Sequence, residues 1–124
     1  MEKLFFVGLG GFIGSILRFA VVNAVTKFFK GSLPYGTLLV NISGCFLIGL
    51  LITSLQEKFT LFPQLRFFLV IGILGGFTTF SAFSFETIEL LQAGYFSSAF
   101  LNIFYSLAGC LIATWLGIFL GKSL

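Results

Sequence analysis

Four long apolar runs dominate the chain: Leu4 to about Val25, Thr37 to Leu55, Leu65 to about Leu91, and Ser97 to Leu120. Each is near or above the roughly 20 residues that cross a hydrocarbon core about 30 Å thick. The connectors 26–34, 56–64 and 92–95 are short and polar. This pattern predicts an all-α integral membrane protein, a single transmembrane domain over residues 1–124. Its helices fall at about 4–25, 37–55, 65–91 and 97–120. The first run is too long for the core of a signal peptide, and no small-x-small cleavage site closes it. It reads as a retained helix.

The third run is too long and too irregular for one plain helix. Gly72, Gly75 and Gly76 precede Thr78 and Thr79; glycine loosens a helix and β-branched threonine does not restore it. The expectation is a break within 75–79, about midway across, giving two half-helices. Irregular backbone at that depth survives only when buried in protein or lining a cavity. A glycine-tolerated kink is the plainer alternative.

Composition agrees with the pattern. The chain of 124 residues is 58% hydrophobic and 9% charged, against about 25% charged in a soluble domain. Seven basic residues give a formal charge of +3, but they are scattered, so nothing here is a nucleic-acid footprint. Boundary charges explain them better, and the partner they imply is a lipid bilayer. With no histidine, the commonest proton shuttle and metal ligand is missing. No Ser/His/Asp or Cys/His set and no facing carboxylates occur, which argues against an enzyme. Cys45 and Cys110 lie deep in apolar runs and read as small hydrophobes without a disulfide framework.

Charge also bears on assembly. Lys3, Lys58, Arg66 and Lys122 belong to one side, and Lys27, Lys30 and Arg18 to the other. So weak a positive-inside bias permits insertion both ways and hence an antiparallel dimer, although a weakly biased single orientation fits equally well. Four helices pack around their own side chains, so a polar route is more easily built between subunits. Homo-oligomers are most often two-fold dimers.

Several residues could carry chemistry. In the first helix Gly10/Gly14 and Gly11/Ser15 are small-x-x-x-small pairs, suited to close helix packing rather than to a phosphate loop. Arg18 stands one turn on, placed either to draw anions into a vestibule or to snorkel. Thr37 and Asn41 share a face of the second helix. An Asn amide offers two donors, enough to suit a partly dehydrated anion, but it also makes interhelical hydrogen bonds readily. Phe80 and Phe83 are i, i+3 neighbours interleaved with Ser81 and Ser84. Aromatic ring edges are positive and can stabilise an anion weakly, as conduction requires. On the fourth helix Asn102, Tyr105, Ser106, Gly109, Ala113 and Thr114 form one small, partly polar face, serving as a hydroxyl track or as ordinary packing. Glu86 and Glu89 sit near the end of the third run, not at mid-membrane where a proton-coupled exporter would need its carboxylate. Composition and spacing reach a small-ion pathway and stop there.

Three motifs go further. They read Gly10-Gly11-Phe12-Ile13-Gly14-Ser15-Ile16-Leu17-Arg18-Phe19, then Gly36-Thr37-Leu38-Leu39-Val40-Asn41-Ile42-Ser43-Gly44-Cys45-Phe46, then Gly75-Gly76-Phe77-Thr78-Thr79-Phe80-Ser81-Ala82-Phe83. In order and spacing the chain resembles, over its whole length, the Fluc (CrcB-type) fluoride channels. Ser15, Phe19 and Ala82 stand where that family often has Ala, Tyr and Thr, changes of packing more than of an ion path. The resemblance implies an antiparallel, dual-topology homodimer in a bacterial inner membrane, with two fluoride pores. Asn41 would donate to fluoride, while Phe80 and Phe83 present ring edges; Ser81, Thr37, Tyr105, Ser106 and Thr114 would supply hydroxyls. Arg18 would serve the vestibule. A structural Na+ at the dimer centre would be held by backbone carbonyls of Gly75 and Thr78. Export would be passive, protecting against fluoride toxicity. The rivals are a small four-helix drug exporter, which should carry a carboxylate within its first helix where this chain has only Glu2, and a non-transporting membrane subunit.

Overall fold

The computed structural model describes residues 1–124 and is helical throughout its ordered elements. Helix α1 spans Glu2–Phe28 and α2 spans Tyr35–Ser54. A short α3, Gln56–Leu61, occupies the second connector. The third span, Pro63–Gln92, is composite. It opens with α4, Pro63–Arg66, where proline takes the first helical position and gives up an N–H that has no helical partner there. A π-helix follows over Phe67–Leu74, then α5, Gly75–Phe77, and α6, Phe80–Gln92. The chain ends in α7, Phe96–Ser123. Four helical segments are long and apolar enough to cross a membrane. The structure therefore has an all-α transmembrane architecture, with no strand.

Burial in this chain is the reverse of a soluble core. Phe5, Phe12, Phe19, Phe100, Leu111 and Trp115 are all exposed, as side chains facing lipid are. Inside lie small and polar residues: Thr37, Asn41, Thr79, Thr87, Asn102 and Ser106, beside Val40, Ala99 and Ala113. Without a hydrophobic drive between helices in lipid, association depends on close backbone packing and interhelical hydrogen bonds.

Glycine makes that close packing possible along two seams. The first joins α1 to the third span. A Cβ on Gly72 would lie 2.8 Å from the Gly10 Cα, and one on Gly76 would lie 2.7 Å from the Gly11 carbonyl oxygen. Gly14 presses in the same way on the Ile73 carbonyl. The second seam joins α2 to α7, where Gly49 meets the Thr114 carbonyl and Gly117 meets the Phe46 carbonyl. The small-x-x-x-small pairs of the first helix thus act as packing surfaces.

The third span differs in detail from the sequence-based expectation. Gly75–Phe77 are helical, and the extended residues are Thr78 (φ −87°, ψ 156°) and Thr79 (φ −153°, ψ 120°). They fall at the middle of Pro63–Gln92. The π turns lie earlier, where Gly72 meets Gly10, and the Gly75 N–H reaches back to the Val70 carbonyl. Nothing in the apolar run Phe67–Leu74 marked them.

At the far end α6 stops on a Schellman motif. The Tyr95 N–H reaches the Leu90 carbonyl at 2.8 Å and the Gly94 N–H reaches Leu91 at 3.1 Å. Gly94 has φ +85°, a conformation glycine adopts without strain. That tight turn sends α7 straight back along the bundle.

The glycine seams make a direct prediction. Gly72→Val should destabilise the fold by about 1–3 kcal/mol, because its neighbours are backbone atoms that cannot swing aside. Gly8, whose added Cβ would meet nothing within 4 Å, is the control. Unfolding in mixed detergent micelles should move sharply for the first variant and hardly for Gly8→Val.

Candidate functional site

The two extended residues of the third span create a local problem. Backbone groups that a continuous helix would pair lose their partners, and in lipid each unsatisfied group costs several kcal/mol. Asn41 on α2 resolves it. Its Nδ2 donates to the Thr79 carbonyl at 2.9 Å, and its Oδ1 accepts from the Thr79 N–H at 2.8 Å. Asn41 is 9% exposed, so this reciprocal pair is a buried clamp. Thr79 also caps α6, its Oγ1 accepting from the Ala82 N–H at 3.2 Å, and it lies 3.1 Å from the Ser81 hydroxyl.

The clamp leaves several donors near the start of α6 without a partner inside their own helix. An Asn amide has two N–H bonds, and only one is used on Thr79. The first N–H groups of α6, at Phe80 and Ser81, have no carbonyl within their own helix. The positive end of the α6 dipole lies there as well. A cavity of about 310 Å³ opens beside this point, lined by Asn41, Thr78, Thr79, Phe80, Phe83 and Ser106 among others. The Phe80 and Phe83 rings sit 5.3 Å apart at 51°, tilted rather than stacked. Donors, a helix N-terminus and two aromatic rings around one cavity, with no carboxylate in its lining, favour an anion.

A second polar pair lies about one turn away along α2 and about two turns along α6. Thr37 Oγ1 donates to Glu86 Oε1 at 2.7 Å, while Glu86 Oε2 is buried without a partner. Recesses of about 680 and 410 Å³ both reach Glu86, next to Pro34 and Leu33. Behind Phe83, the Asn102 Nδ2 donates to Thr87 Oγ1 at 2.9 Å, and Thr87 donates on to the Phe83 carbonyl at 2.7 Å. This relay ties α7 to α6 and fixes the helix that carries Phe83.

The structure therefore gathers Asn41, Phe80, Phe83 and Ser106 around one cavity, with Ser81 against Thr79 at its edge. Thr37 lies apart, toward Glu86. Tyr105 is 45% exposed and Thr114 packs by its backbone against Gly49, so neither borders that cavity within one chain. Arg18 is half-buried on α1, away from it.

Gly75 and Thr78 border a separate cavity of about 140 Å³ with Gly44 and Val70. The Thr79 N–H, which a continuous helix would give to the Gly75 carbonyl, goes instead to Asn41. That carbonyl loses its helical donor, and an oxygen-only donor set suits a hard cation. No cluster of three or more His, Cys, Asp or Glu side chains offers an alternative metal site.

The profile described as CrcB-like protein, camphor resistance (CrcB), matches residues 5–118. The chain belongs to the CrcB family. It is 44% identical over 124 residues, all of both chains, to a protein of Flavobacterium psychrophilum named fluoride-specific ion channel FluC. A Campylobacter jejuni protein of the same name is 48% identical over 122 residues, 98% of this chain and 99% of its own. A Geobacter protein, also so named, matches at 44% over 124 residues. The relationship is full length in each case. Their name is that of a channel, not of an enzyme.

Sequence reasoning set Asn41 on a polar face of the second helix and left its partner open. The partner, Thr79, lies 38 residues away, and no helical period links them. Thr87 and the Thr37–Glu86 pair were missed for the same reason. The clamp predicts that Asn41→Leu, which strands both Thr79 groups, lowers stability by about 1–3 kcal/mol, given about 0.6 and at most 1.7 per membrane hydrogen bond. Denaturant titration in micelles measures it. A shift below the error of the titration would show that Asn41 does not hold the joint.

Proposed function

We propose that the chain is a fluoride-specific ion channel that lets F− leave the cytoplasm passively. What carries this reading is the full-length relationship to proteins named as such channels. The cavity beside Asn41 suggests how the chemistry works. The second Asn41 N–H and the Ser106 hydroxyl donate to the ion, the α6 N-terminus supplies positive potential, and Phe80 and Phe83 offer ring edges. Each contact is weak. Weak contacts in series let an ion enter and also leave.

The driving force requires no coupling. Fluoride enters cells as neutral HF, ionises inside and is trapped as an anion. An inside-negative potential then pushes it out, about 2.3 kcal/mol per charge per 100 mV, roughly a fifty-fold concentration ratio. Loss of the channel would leave a bacterium sensitive to fluoride, and the membrane concerned is the cytoplasmic (inner) one.

A single chain leaves the cavity wall open, with Phe80 75% exposed beside it. The reading is therefore completed by an antiparallel homodimer of dual topology, each of two pores lined by both subunits. Tyr105 and Thr114 would then act along the path contributed by the partner, Thr37 at its approach, and Arg18 in the vestibule. The interruption at Thr78–Thr79 would lie at membrane mid-depth. Carbonyls of Gly75 and Thr78 would hold a structural Na+ at the dimer centre, a charge that locks the joint and takes no part in conduction.

Purified protein in liposomes tests this with a fluoride electrode. Under a K+/valinomycin potential, efflux should exceed that of empty vesicles without any pH gradient. Efflux equal to empty vesicles ends the channel reading, and a requirement for a pH gradient would favour an exporter. Phe80→Ile, which removes a ring edge and keeps an apolar side chain, should lower flux by about tenfold or more with dimerisation unchanged. Asn41→Asp should lower it too, since a carboxylate repels the anion it replaces a donor for. Wild-type rates in both variants would take these residues out of the path.

A further inference from the structure

The two cysteines have no role in the pathway above. They are the only ones in the chain, and both are free and half-buried. Cys45 is on α2 and Cys110 on α7, helices drawn together by the Gly49 and Gly117 contacts and by Gly109 beneath Ile42. The Ile42–Gly109 and Gly49–Thr114 contacts bracket Cys45 and Cys110 on the same stretch of this crossing. Both also line the cavity of about 310 Å³ that holds Asn41, Phe80 and Phe83. Two cysteines on adjacent helices thus border one cavity.

The ligand follows from the number and softness of the donors. No third His, Cys, Asp or Glu is grouped with them, so a tetrahedral zinc set cannot be completed. Paired thiolates select soft metals, and a d10 ion that takes two ligands in line needs nothing more. Charge decides the valence. Net charge in a membrane interior is costly, and one divalent ion with two thiolates is neutral. We propose that Cys45 and Cys110 form a two-sulfur site for a soft divalent cation, of which Hg2+ is the type, and that occupancy obstructs the cavity beside Asn41. With HgCl2 the exchange balances: two S–H and two Hg–Cl bonds break, two Hg–S bonds form, two protons and two chlorides leave to water, and no electron is transferred. The obstruction rests on the channel reading; the binding does not.

The full chain in detergent is titrated with HgCl2 and followed by intact mass. The expected product carries one mercury less two protons per chain. The bidentate site should hold mercury against at least about a hundredfold more glutathione than Cys45→Ser or Cys110→Ser does, from the effective concentration of the second sulfur. Equal retention in the single variants, or mercury bridging two chains, would overturn the site. In liposomes each protein is compared with its own mercury-free rate. Wild-type flux should fall at least about tenfold and the C45S/C110S double variant should be unaffected. Tight binding with undiminished flux would refute the obstruction. Absence of fluoride flux before mercury is added would count against the channel reading instead, and the stoichiometry would still decide the site.

Discussion

The structure turns on a two-bond clamp between a side chain and a backbone. Thr78 and Thr79 leave the helix at the middle of the third span, flanked on both sides by apolar helix, and in lipid no water would pair with exposed peptide groups. Asn41 answers as donor and as acceptor to one residue, Thr79. Few side chains can do both. Asp has no donor, Leu has neither, and Ser is too short to span two groups. Once the clamp is closed, α6 begins at a fixed place and direction, and Phe80, Phe83, Glu86 and Thr87 follow from it at helical spacing.

The glycine seams are what allow Asn41 to reach. α2 lies close enough to the joint for Gly44 to sit against the Thr78 methyl and the Phe77 ring. α1 presses the preceding π segment from the other side through Gly10 and Gly14. A larger residue at these crossings would push the spans apart by more than a hydrogen bond can stretch. Packing and polar satisfaction are therefore one device here. In a soluble protein a large apolar core could absorb such a change, but this chain buries little besides small and polar residues.

How much of this was legible beforehand follows from which interactions are local. The number of spans came through, since each is a continuous apolar run and hydropathy is read residue by residue. The Gly75-Gly76 and Thr78-Thr79 pairs signalled irregularity within 75–79, a range that did not say which of its residues leave the helix. Gly75–Phe77 stay helical, and the threonines, one held by Asn41, are the extended pair. The π turns left no mark in Phe67–Leu74, because their cause is the opposing face of α1. Cys45 and Cys110 looked like isolated small hydrophobes, and only the parallel course of α2 and α7 makes them neighbours. Long-range partners were hidden in each case.

The clamp also bears on selectivity in the proposed pathway. An unconstrained Asn amide would have to be ordered by the ion it binds, and the free energy of ordering would weaken the contact. Here the Oδ1 and one N–H are already committed to Thr79, so the plane of the amide is set before any ion arrives. The second N–H then points where the geometry of the first requires. The same joint divides the helix dipole, leaving carbonyls at the end of α5 and N–H groups at the start of α6. The former suit a cation and the latter an anion. Replacing the extended threonines by a continuous helix would pair these groups internally and remove both preferences at once. The irregularity that costs stability is therefore the feature that gives the span its polarity, and Asn41 is the residue that makes it tolerable.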